Sequence, residues 1–204
     1  MVIVNGLPGA GKTTLARSLS RHMGLPLISK DAIKEAYSDV FGIAPKEGHA
    51  RREWSNAHGA AAAETMWALA ADAPGGAILE SWWPRYRMHL VEAGLKRAGI
   101  GHPMTVLCEI SPELARERFV QRVREGRRHP IHGESPDPAD YDRDWAGAEP
   151  LAVGPVFRVD TSAEVDIEPI VRWIEAHGAG PGAAPTPGRS FDPPRAPLIE
   201  RSGD

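Results

Sequence analysis

The sequence predicts an α/β fold, with a parallel sheet of five strands covered by helices on both faces. Three observations predict it. Short apolar runs alternate with longer helical patterns along most of the 204 residues, as they do where each crossover helix returns the chain to a parallel strand. The first run, Val2-Ile3-Val4-Asn5, leads directly into Gly6-Leu7-Pro8-Gly9-Ala10-Gly11-Lys12-Thr13, which has the spacing G-x-x-x-x-G-K-[ST]. An amphipathic pattern follows at once, with Leu15, Ala16, Leu19, His22 and Met23 spaced for one helical face.

In chain order, strands are expected at 2–5, 26–29, 76–80, 104–110 and 156–160, each a short apolar run bounded by turn-forming residues. Helices are expected at 12–23, 31–38, 49–71, 84–98, 112–123 and 164–177. Ser111-Pro112-Glu113 is a start signal, a capping serine before proline at the first helical position. The Ala-rich helix 49–71 reads as structural, with a buried stripe of Trp54, Ala57, Ala61, Thr65, Ala68 and Leu69. Asn56, His58 and Glu64 lie off that stripe. Two stretches resist regular structure. Residues 125–138 combine Gly126, Gly133, three prolines and a cluster of arginines and histidines, and read as a mobile loop. Residues 179–204 hold six prolines and four glycines with little apolar periodicity, so they read as a flexible tail after one domain at 1–178.

Composition narrows the function classes. A formal charge of −3 gives no global attraction to nucleic acid or to anionic membranes. A single cysteine, Cys108, excludes an internal disulfide and suits a reducing cytoplasm. Inside the run Met104-Thr105-Val106-Leu107-Cys108 it reads as a small buried hydrophobe. The opening residues are required as a strand, and no stretch approaches a membrane span. The expected location is therefore the cytoplasm.

The chemistry starts from the glycine-rich loop. Its glycines let successive N–H groups point inward at phosphate oxygens, Lys12 reaches the terminal phosphates, and Thr13 offers a hydroxyl to Mg²⁺. The helix starting near Lys12 turns its positive end toward the same anion. Ligands of open α/β sheets bind beyond the carboxyl ends of the strands. That rule selects Lys30, Asp31 and Lys34 after strand 2, and Glu80, Ser81, Trp82, Trp83 and Arg85 after strand 3. Asp31 is the candidate general base for a hydroxyl acceptor, and it is equally well placed to cap the helix that follows. Glu80 ends an apolar strand and is the candidate acid beside the metal, acting through water. Of Trp82 and Trp83, one is expected to pack and the other to line the acceptor pocket. Arg116, Arg118, Arg122, Arg124, Arg127 and Arg128 face only Glu117 and Glu125 nearby, which reads as an arginine lid over a transferring phosphoryl group. His129 and His132 lack the further ligands a zinc site needs.

In order along the chain, Gly6 to Thr14, Ile28-Ser29-Lys30-Asp31-Ala32-Ile33-Lys34, Glu80, Arg118 to Pro130 and Phe157-Arg158-Val159-Asp160-Thr161 resemble the small P-loop kinases of the adenylate-kinase-like group. The nearest branch contains polynucleotide 5'-hydroxyl kinases, chloramphenicol phosphotransferase and zeta-type toxins. The resemblance implies a three-layer P-loop NTPase fold with strand order 2-3-1-4-5, and ATP with Mg²⁺ as donor. It implies that Asp31 is the catalytic aspartate and that Gly6, Leu7, Pro8, Gly9, Ala10, Gly11, Lys12, Thr13 and Thr14 bind the nucleotide. It also implies that Arg118 and Arg122 border the nucleotide, with Asp160 to Ser162, and so Thr161, on the adenine side. Lys34 stands where nucleic-acid kinases of this kind place an arginine. Glu80 replaces the commoner aspartate, and Trp82-Trp83 belongs to no shared pattern.

The expected activity is transfer of the γ-phosphate to a hydroxyl of a small molecule: an antibiotic, a sugar-like metabolite or a nucleoside. Asp31, Lys12, Arg122 and Arg128 would be catalytic, and Lys34, Glu80, Trp82, Trp83 and Arg85 would meet the acceptor. Three alternatives share the loop. These are a polynucleotide kinase, which would need a basic groove, a nucleotide-dependent switch without transfer, and a toxin acting on a nucleotide sugar. The identity of the acceptor, the choice of ATP over GTP and the oligomeric state stay open.

Overall fold

The computed structural model describes residues 1–43, 50–145 and 148–178. The expected tail at 179–204 and the expected helix start at 49 lie outside the described residues. The chain runs β1 (Val2–Gly6), α1 (Lys12–Met23), β2 (Leu27–Ser29), α2 (Lys30–Phe41), α3 (Arg51–Ala71) and β3 (Ile78–Glu80). A 3-10 turn at Arg85–Arg87 leads into α4 (Met88–Arg97), β4 (Met104–Glu109) and α5 (Pro112–Arg124). After a second 3-10 turn at Pro130–His132 come α6 (Pro138–Trp145), β5 (Val156–Asp160) and α7 (Glu168–Gly178).

The five strands are parallel in the order β2-β3-β1-β4-β5, as expected. Register aligns their carboxyl ends along one edge: Ser29 stands beside Glu80, Glu80 beside Val4, Gly6 beside Cys108 and Glu109 beside Asp160. The fold thereby collects the strand-end residues into one row.

Each face of the sheet is sealed by its own apolar cluster. Leu15, Ala16 and Leu19 of α1 and Ile170, Val171 and Ile174 of α7 pack on Val2, Val4 and Val106. Met66, Trp67 and Ala70 of α3 and Val91 and Leu95 of α4 pack on Ile3 and Leu79. A third cluster, Ala115, Phe119, Val120 and Tyr141, joins α5 to α6.

Three elements differ from expectation. The buried face of α3 is His58, Ala62, Met66, Trp67 and Ala70, whereas Ala57, Ala61, Ala68 and Leu69 are exposed. A helix dominated by alanine carries almost no periodic signal, so its rotation is set by where Met66 and Trp67 find partners. Helix α7 starts at Glu168 instead of 164, because the Asp166 carboxylate accepts from Glu168 N–H at 3.1 Å and fixes the first turn there. Helix α6 was not anticipated. It starts at Pro138 after Asp137, whose carboxylate accepts from Ala139 N–H at 2.9 Å.

Among the described residues no helix is long and apolar enough to cross a membrane.

Candidate active site

The loop between β1 and α1 turns on glycine. Gly9 and Gly11 have φ of +95° and +79°, and a Cβ at Gly9 would overlap the Ala115 carbonyl of α5. Only glycine fits there. Gly11 occupies the position before α1, so the first N–H groups of that helix open onto the loop. Neighbouring elements brace the loop's carbonyls. The Thr161 hydroxyl donates to Ala10 O at 2.7 Å, and the Tyr141 hydroxyl to Pro8 O at 2.9 Å.

Lys12 is buried, and its Nζ donates to Leu7 O at 2.9 Å. Burial lowers its pKa, opposed by Glu80, Cys108 and Asp31. Thr13, next in the chain, donates through Oγ1 to Glu80 Oε1 at 3.2 Å. Glu80 is 3% exposed, and its other oxygen accepts from the Ser29 hydroxyl at 2.6 Å. A hydroxyl and a carboxylate side by side form an oxygen donor set of the kind Mg²⁺ takes, completed by phosphates and water.

Asp31 sits in the first turn of α2. The capping role falls to Ser29, whose hydroxyl accepts from Ala32 N–H at 3.5 Å, and the Asp31 carboxylate is left for other work. It is partly exposed, at 37%, with Arg128 Nη2 at 3.6 Å. Burial alone would raise its pKa; Lys30, His132, Arg128 and Lys12 outweigh burial and hold the carboxyl below its usual range. Asp31 is therefore ionised at neutral pH, as a proton acceptor must be.

The arginines divide by contact. Arg128 makes two bonds to Glu134, at 2.5 and 2.6 Å, as well as facing Asp31. Burial opposes its charge, but Glu134 raises its pKa. Arg122 has a buried Nε with no hydrogen-bond partner among the described residues. Burial and Arg128 lower its pKa. Arg118 donates to the carbonyls of Thr161 and Ser162, at 2.8 and 2.5 Å, bracing the segment after β5. Arg116 pairs with Asp142 and Arg127 with Glu125. Arg122 lies in the field of Lys12 and Arg128 in that of Asp31.

Residues 125–138 are docked in this structure. Ile131 is buried, His132 meets Glu35 at 2.8 Å and His129 meets Asp39 at 3.1 Å. Ser55 of α3 donates to Ile131 O at 2.9 Å and accepts from Lys34 Nζ at 2.9 Å. Both histidines thus serve carboxylates of α2.

Of the pair expected to divide between packing and pocket, Trp83 is the one that packs, and Arg85 is placed apart from the cluster. Trp83 is 6% exposed and stacks on Trp67 with ring centroids 6.0 Å apart, so it fills the core. Arg85 is exposed and pairs with Glu149 at 3.0 Å, outside the cluster. Trp82 is only partly buried and lies edge-on to Trp145, whose ring neighbours Tyr141. The off-stripe residues of α3 are also placed: His58 is buried beside Trp54, and Glu64 pairs with Arg97.

Two contributors went unread in the sequence. Asn5 is fully buried; its amide donates to the carbonyls of Trp83 and Leu151, and its Oδ1 accepts from the N–H groups of Gly6 and Trp83. It ties the phosphate loop to the segment carrying Trp82. Ser29 was legible as a strand end and as part of the shared segment before Asp31, but not as the partner of Glu80. A groove of about 350 Å³ lined by Thr13, Ser29, Ala32 and Leu69 adjoins this region.

A family model described as an AAA domain matches residues 1–135. The chain belongs to this AAA-domain family. A solved structure of a candidate kinase from Chloroflexus aurantiacus j-10-fl is similar at 32% identity and a TM-score of 0.72, covering 86% of this chain and 97% of that one. A sugar kinase from Janibacter sp. HTCC2649 shares the fold at 21% identity and a TM-score of 0.51, covering 85% and 93%. No curated protein matches the sequence significantly. Membership in this P-loop family implies nucleotide binding.

Proposed function

We propose that residues 1–178 form an ATP-dependent kinase that phosphorylates a hydroxyl of a small molecule. The observation that carries the reading is the convergence of Asp31, Lys12, Thr13, Glu80, Arg122 and Arg128 at the carboxyl edge of the sheet, with Asp31 freed from capping by Ser29. Similarity to the Chloroflexus candidate kinase supports the same class.

In this reading the loop amides and Lys12 grip the triphosphate. The acceptor hydroxyl lies against Asp31. Its oxygen forms a bond to the γ-phosphorus while the bond from that phosphorus to the β,γ-bridging oxygen breaks, and ADP leaves with the electron pair. The hydroxyl proton passes to Asp31. Because the carboxylate is held below its usual pKa, it stays ionised to accept the hydroxyl's hydrogen bond and, as a weak base, takes the proton late. Thr13 and Glu80 would hold Mg²⁺, which when bound neutralises charge on the phosphate oxygens. Arg122 and Arg128 meet the equatorial oxygens as charge moves across them. Arg118 and Thr161 shape the adenine side, and Lys34 and Trp82 border the acceptor.

The acidic chain favours a small acceptor over a polynucleotide, and the lone buried cysteine suits the cytoplasm. The test is incubation with γ-labelled ATP and a panel of antibiotics, sugars, nucleosides and 5'-hydroxyl oligonucleotides. Label transferred to a small alcohol supports the reading; label only in inorganic phosphate contradicts it.

A further inference from the structure

We propose that the acceptor alcohol carries an anionic group, a carboxylate or a phosphate, held by Lys34 together with Lys30. The inference rests on the kinase reading of the same site.

On the acceptor side of the cluster Arg128 has Glu134 and Asp31, His132 has Glu35, and His129 has Asp39. Among the described residues Lys30, Lys34 and Arg122 form no ion pair. Lys34 is only partly exposed, and the one hydrogen bond of its ammonium goes to the neutral Ser55 hydroxyl. Two of its three N–H groups stay available. A cation withdrawn from water without a carboxylate is costly unless a ligand supplies the charge.

The cations also sort into two groups. Lys12 lies in the field of Glu80, Cys108, Asp31 and Arg122, whereas Lys34 lies in the field of Lys30, Asp31, Glu134 and Arg128. Asp31 is common to both. The two groups thus meet at the candidate base, one of them reaching the phosphate loop through Lys12. Burial, then Lys30, push the Lys34 pKa down, against the opposing fields of Asp31 and Glu134.

Helix geometry supplies the third argument. Lys30 and Lys34 are four apart on α2, where like charges oppose helix formation. Such a pair is retained without cost if an anion bridges it. Asp31 and Lys34 are three apart, with Cβ atoms about 5–6 Å from each other. A molecule whose hydroxyl meets Asp31 and whose anion meets Lys34 has the two groups a few carbons apart.

The experiment pairs acceptors of equal chain length, namely aldonates, sugar phosphates and the corresponding neutral sugars and alditols, each with Mg–ATP. The expected result is a kcat/KM at least about 10- to 100-fold higher for an anionic member than for its neutral partner, the scale of a charge-assisted hydrogen bond. The aldonate and sugar-phosphate arms tell carboxylate from phosphate. Lys34→Met should raise KM for that acceptor by a similar factor with ATP affinity unchanged, and Lys34→Arg should restore most of it. Transfer to neutral alcohols only, or an unchanged KM in Lys34→Met, overturns the inference and leaves the kinase reading standing. ATP binding without phosphorylation of any compound removes both.

Discussion

The Ser29 hydroxyl donates to Glu80 Oε2 at 2.6 Å while its oxygen also faces Ala32 N–H, so one side chain joins the acid beside Thr13 to the first turn that carries Asp31. The metal side and the base side of the site share this anchor. Ser29→Ala should weaken ATP binding by about tenfold in the presence of Mg²⁺, on the order of one hydrogen bond to a charged group, and leave Mg²⁺-free binding unchanged. Ser29→Thr should recover the Mg²⁺ effect. Calorimetric titration of the natural protein and both variants, with and without Mg²⁺, reads all six values.

Asp31→Asn should keep ATP affinity and lower transfer by roughly 10²- to 10⁴-fold, the usual range for a lost general base. The pH behaviour follows from its folded pKa, which lies below the ordinary 3.8. A carboxylate with a depressed pKa stabilises the fold fully above 3.8 and loses that contribution as pH falls through the lower folded value. The stability gap between the natural protein and Asp31→Asn should therefore be flat above about pH 5 and shrink below 3.8, as read by urea midpoints across that range.

Gly9→Ala should abolish nucleotide binding and destabilise the fold by at least about 2 kcal/mol, because it adds left-handed strain to overlap with backbone. The Cβ would meet the carbonyl of Ala115, which cannot swing aside as a side chain would. Thermal unfolding and ATP titration of the variant check both parts.

Cys108 lies beneath the loop at 3% exposure, and burial pushes its thiol up to about 12. It should resist alkylation at pH 8 in the folded protein and react fully in denaturant. Mass spectrometry after iodoacetamide treatment decides this; rapid labelling of native protein would contradict the packing described.

How much was legible in the sequence depended on whether a residue's role is local. The phosphate loop could be read because its demands fall on the backbone: positive φ at Gly9 and Gly11 and close approach to α5 permit no other residue, so function is spelled in glycines. The sheet could be read because strands buried on both faces are continuous apolar runs. The rotation of α3 could not, since alanines look alike on every side. Nor could the division of labour among the arginines, because Arg118 acquires its role from carbonyls at Thr161 and Ser162, 43 and 44 residues away. Trp82 and Trp83 are adjacent and chemically identical; distant contacts from Trp67 of α3 and Asn5 of β1 accompany the one that enters the core.

The central claim is that the loop around Lys12 binds a nucleoside triphosphate for transfer. Isothermal titration of the folded protein with Mg–ATP tests it most directly. Saturable binding with a stoichiometry near one, lost by about 100-fold or more in Lys12→Ala, is the predicted result; no heat from ATP or GTP, or identical affinity in Lys12→Ala, would contradict it.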